Sequence, residues 1–141
     1  MARLPLPQKI KIVPAVIPSA GGVAAMTPVE VNGTGYDRVC WIITTGAAAA
    51  GATIAAKIQN SVATGGALAD ITSAASAGLT AAANASKIQV IDHPINHARV
   101  FMKVTGAVGV DTFANSVVAI LYNGRSFDVA TTYATEFVQV V

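Results

Sequence analysis

The chain has 141 residues, of which 53% are hydrophobic and 11% charged, with a formal net charge of +2 and a mean hydropathy of +0.58. Few charges and many apolar residues exclude a disordered chain, and the length suits one domain. Alanine supplies 28 of the residues and raises the hydropathy without making a membrane span. A spanning helix needs about 20 uninterrupted apolar residues; the best stretch, 39–56, is broken by Thr44, Thr45, Gly46, Gly51 and Thr53.

The N-terminal 22 residues hold Pro5, Pro7, Pro14 and Pro18 and close on Gly21-Gly22. Proline fixes φ and removes a donor, so this segment is expected to be an arm that is extended, polyproline-like or edge-strand rather than helical. Its Arg3, Lys9 and Lys11 precede the first acid, Glu30. Within it, residues 8–13 alternate Lys9 and Lys11 against Ile10 and Ile12, a strand pattern. There is neither an unbroken apolar core nor a cleavage-like site of the kind that marks a signal peptide.

Beyond the arm the pattern is β. Asn32-Gly33-Thr34-Gly35 signals a turn, and residues 36–45 (YDRVCWIITT) form a β-branched and aromatic run suited to a buried strand. Residues 46–51 read as a small-residue connection. Residues 52–60 alternate, with Ile54, Ala56 and Ile58 on one face and Thr53, Lys57 and Gln59 on the other. A turn at 63–66 leads to a short strand over 67–72. Residues 73–86 carry helix-favouring alanine beside loop-favouring Ser, Gly and Asn, and are expected to be a loop holding at most one helical turn.

Residues 87–93 alternate Ile88 and Val90 against Lys87 and Gln89, up to Pro94. Residues 99–105 alternate Val100, Met102 and Val104 against Arg99, Phe101 and Lys103, and residues 106–112 connect to an apolar strand over 115–122. Asn123-Gly124 is a turn dipeptide, and residues 131–141 again read as a strand. The expectation is an all-β fold: an antiparallel β-sandwich, jelly-roll-like, of about seven to nine short strands. It is divided into an extended arm over 1–22 and one domain over 23–141.

Chemistry is sparsely represented. Cys40, the sole cysteine, lies between Val39 and Trp41 and is expected to be a buried small hydrophobe rather than a nucleophile. His93 and His97 stand four apart with Asp92 adjacent, but Pro94 breaks any shared helix face and no further ligand is near, so they read as structural or surface histidines. The seven acids form no catalytic motif, and Gly33-Thr34-Gly35 precedes a strand where a phosphate cradle would follow one. The sequons at Asn32 and Asn84 are ascribed to chance. Basic residues neither cluster nor interleave with aromatics, which argues against nucleic acid.

The order of short motifs is similar to that of small virion structural proteins of tailed bacteriophages. The pieces are Gly35-Tyr36-Asp37, Ala52-Thr53, Lys57-Ile58-Gln59, Asp70-Ile71-Thr72 and Val90-Ile91-Asp92. They continue with Arg99-Val100-Phe101-Met102-Lys103-Val104 and Val118-Ala119-Ile120-Leu121-Tyr122. The resemblance spans residues 34–125. It implies a capsid decoration (cement) protein or other minor virion component with a β-sandwich fold, without catalytic residues or cofactor, and the residues themselves suggest no metal site. The expected partners are the major capsid protein and further copies of the chain, as homodimer or homotrimer, on the capsid exterior after assembly in the host cytoplasm, with neither nucleic acid nor membrane involved. Contacts are expected from the arm (Leu4, Pro5, Pro7, Lys9, Lys11) and the C-terminal strand (Tyr133, Phe137, Val138). The alternatives are a tail, neck or head–tail joining component, and a carbohydrate-binding attachment module. Trp41, the only tryptophan, weighs against the last because it sits in a core-like run.

Overall fold

The structure is a computed structural model that describes residues 10–19, 24–75, 79–80, 87–109 and 113–124. The described residues hold ten strands, in chain order β1 (Ile10–Ser19), β2 (Ala24–Ala25), β3 (Val31–Asn32), β4 (Tyr36–Ala48), β5 (Thr53–Ser61), β6 (Ala69–Ala75), β7 (Leu79–Thr80), β8 (Ile88–Pro94), β9 (Phe101–Gly109) and β10 (Phe113–Gly124). Seven of them have seven residues or more, and the other three are two-residue pieces. No helix among the described residues is long and apolar enough to cross a membrane.

All pairings are antiparallel and build two sheets. The first runs β1-β10-β4-β8; the second runs β2-β9-β5-β6, with β3 also on β9 and β7 on β5. After β4 the chain passes to the second sheet for β5, β6 and β7, returns for β8, crosses for β9 and returns for β10. The expected all-β sandwich is therefore the fold.

Period-two alternation decides what each strand buries. β4 turns Val39, Trp41 and Ile43 inward and β10 turns Val117, Ala119 and Leu121 inward. From the second sheet they meet Ile54 and Ile58 of β5 and Met102, Val104 and Val108 of β9 in one core cluster. Trp41 is fully enclosed (0% exposed), which agrees with the core-like run read from the sequence.

The Asn32–Gly35 turn forms as expected: Asn32 Oδ1 accepts from the Thr34 amide at 2.9 Å and the Gly33 carbonyl accepts from the Tyr36 amide at 3.1 Å. Gly35 has φ +85°, a left-handed conformation that glycine adopts without a Cβ penalty.

Four expectations change. Residues 10–19 are the edge strand that the arm's pattern allowed, but as β1 they belong to the domain rather than lie outside it, with Ala15 and Val16 buried in the core. An edge position tolerates Pro14 because one side of the strand needs no donor, and the register shifts beside it. Residues 73–75, read as loop, extend β6, where Ala75 pairs with Lys57, and Leu79–Thr80 pair with β5. Sheet pairing overrides the helix preference of alanine.

The small-residue stretch after Thr45 continues β4 to Ala48 because Phe113 of β10 pairs with it, and β9 likewise continues through Gly109 opposite Thr53. Cys40 is the fourth: it is half-buried rather than buried, because it alternates with the inward-facing Val39 and Trp41 and so points away from the core.

Candidate functional site

The register of the first sheet lines its outward side chains into rows that cross three or all four of its strands. Pro14 pairs with Val118, Val118 with Ile42 and Ile42 with Val90. The neighbouring row runs Ile12, Ile120, Cys40 and Asp92, and on the other side Ser116, Thr44 and Ile88 stand in line. Ile12, Ile88 and Val90 are 45%, 67% and 59% exposed, and Ile17 of β1 is 63% exposed. β-Branched side chains thus cover both sides of this sheet, one facing the core and one facing solvent.

Polar groups gather at one end of the face. Arg38 Nη2 donates to Asp92 Oδ2 at 2.6 Å, Arg38 Nε donates to Tyr122 Oη at 2.8 Å, and Tyr122 Oη donates to Asp92 Oδ1 at 2.7 Å. Partial burial alone would raise the Asp92 carboxyl, but the bonds from Arg38 and Tyr122 outweigh it and hold Asp92 below the usual carboxylate range. The Arg38 guanidinium is raised, first by its bond to Asp92 and then by that to Tyr122. The triad is charge-balanced and uses three adjacent strands, β8, β4 and β10.

The outward side of the second sheet is of another kind. Asp70 of β6 accepts from Lys57 Nζ at 2.8 and 3.0 Å and from Gln59 Nε2 at 2.6 Å, and Thr105 Oγ1 donates to Gln59 Oε1 at 2.8 Å. The bond from Lys57, then that from Gln59, lowers the Asp70 carboxyl. An open groove of about 320 Å³ beside it is lined by Asn60, Asp70, Ile71, Pro94, Asn96 and Arg99. Its guanidinium is already committed: Arg99 Nε donates to Asn60 Oδ1 at 2.9 Å and Nη2 to the Asn60 carbonyl at 3.1 Å.

The two histidines are not brought together. His93 is 3% exposed and accepts at Nε2 from the Trp41 indole N–H at 3.0 Å, while its Nδ1 lies 2.9 Å from the Pro94 carbonyl. That pattern fixes the neutral ring with its proton on Nδ1, and burial pushes the imidazole below its ordinary value. His97 sits on the loop after β8, half-exposed, 3.4 Å from Asp37 Oδ1. Among the described residues no group of three or more His, Cys, Asp or Glu side chains is placed to hold a metal ion. The Cys40 thiol is raised by burial and then by the nearby Asp92 carboxylate, which keeps it protonated.

Of the residues expected to make contacts, Lys11 lies on β1 opposite Leu121 and is half-buried. Leu4, Pro5, Pro7, Lys9, Tyr133, Phe137 and Val138 lie outside the described residues. The outward row Pro14–Val118–Ile42–Val90 was not singled out from the sequence. Its signal was there, in the apolar residues that fill both alternation phases of β4, β8 and β10. No known protein family matches the chain, and neither does any curated protein.

Proposed function

We propose that this chain is a non-enzymatic structural protein of a tailed-phage virion, a capsid decoration (cement) protein that binds and stabilises the major capsid lattice. The observation that carries this reading is the outward apolar face of the first sheet. Contiguous apolar surface on a small chain marks a part built to be covered in an assembly, by further copies of itself as well as by other proteins. The order of sequence motifs, which resembles small virion proteins, supports the same reading. Many weak contacts repeated over a lattice gain avidity without a deep pocket or a catalytic centre.

The reading is tested with particles that lack the chain. Purified protein added to such particles is expected to co-sediment with them, to saturate at hundreds of copies, and to delay thermal opening of the capsid. Saturation at a handful of copies would place the chain at the tail or neck instead. Failure to co-sediment at any concentration would overturn the proposal.

A further inference from the structure

We propose that the outer face of the first sheet is the surface through which two copies of this chain pair. The apolar rows and the polar row Ile10, Tyr122, Arg38 and Pro94 together span four strands and four alternate positions. Strand spacings of about 4.8 Å and about 3.3 Å per residue make this a face of about 20 by 27 Å. Two such faces in contact sum to about 1,000 Å², the lower bound of a specific interface. Burying it on a second copy repeats the sheet-on-sheet packing that already forms the core.

Charge selects the occupant. The outward residues of β1, β10, β4 and β8 include one cation and one anion, Arg38 and Asp92, which are bonded to each other. The face therefore has no net charge with which to recognise a basic or acidic partner. What matches it is a surface equally flat, equally apolar and equally neutral, and a copy of itself meets all three conditions. Two-fold contact between identical patches is the commonest form of self-association. The opposite face of the sandwich, with Lys57, Asp70, Gln59 and Lys103, is the one that stays wet. The pairing is a property of the free chain and does not depend on a role in a virion.

Sedimentation equilibrium of the full chain over a wide concentration range tests the pairing. The wild-type chain is expected at twice the chain mass when concentrated and at the chain mass on dilution. Val90→Glu and Ile88→Lys, both at exposed positions of β8, are each expected to stay at the chain mass throughout with unchanged thermal melts. Ala107→Glu, exposed on β9 in the second sheet, is expected to pair like the wild type. A wild-type chain that remains at the chain mass at every concentration overturns the proposal. So does a trimer, or a pair that survives both β8 substitutions.

Discussion

His93 combines burial, a fixed tautomer and a partner that allows no second proton. Its Nε2 accepts from Trp41, so protonating it turns an acceptor into a donor facing a donor, inside the core. Its folded-state pKa is depressed by burial, so the unfolded chain takes up the proton first as pH falls. The stabilisation is whole above the ordinary value of 6.5 and is lost as pH drops from there toward the depressed folded value. Urea unfolding at a series of pH values is expected to show stability falling below about 6.5. His93→Gln, which can still offer the indole an acceptor, is expected to flatten that dependence. His93→Leu leaves the Trp41 N–H unpaired and is expected to cost about 1–3 kcal/mol at neutral pH.

Close approach between strands makes a second residue irreplaceable. A Cβ on Gly106 would overlap the Ala55 carbonyl oxygen of β5, which is backbone and has no freedom to rotate away. Gly106→Ala is expected to destabilise by about 1–3 kcal/mol, read from the urea midpoint.

At the scale of elements, the two sides of a strand carry different weight. Ile58 of β5 is fully buried between the sheets, whereas Ile88 of β8 faces solvent. Ile58→Ala is expected to cost about 2–5 kcal/mol, and Ile88→Ala at most about 0.5 kcal/mol in the monomer. Thermal melts of the two variants at low concentration check the contrast. β5 was legible in the sequence because one phase is apolar and the other polar: Ile54, Ala56 and Ile58 against Lys57 and Gln59.

β8 was harder to read. Its apolar Ile88 and Val90 look like a core face, yet the inward phase holds Ile91 and the buried, bonded His93. Period two identifies the strand, but only the register with β4 decides the side, by setting His93 opposite the inward Val39. β1 was legible as an extended or edge-strand segment from its prolines and its Lys–Ile alternation, but not as part of the domain, because its partner β10 lies at the far end of the described chain. The Arg38–Asp92–Tyr122 triad joins residues up to 84 positions apart, a separation no local pattern reveals.

Across the whole molecule, the sandwich divides its surfaces by chemistry. One outer face is apolar with its charges mutually cancelled; the other carries the Lys57–Asp70–Gln59 cluster and the Lys103–Glu30 pair. The low charge content that first excluded disorder is thus concentrated away from the apolar face. An architecture of this kind fits a part that is assembled in many copies, where repeated shallow contacts add up. Quantitative mass spectrometry of purified virions tests that account most directly. The chain is expected at hundreds of copies per particle, in fixed proportion to the major capsid protein; its absence from purified particles would contradict a structural role in the capsid.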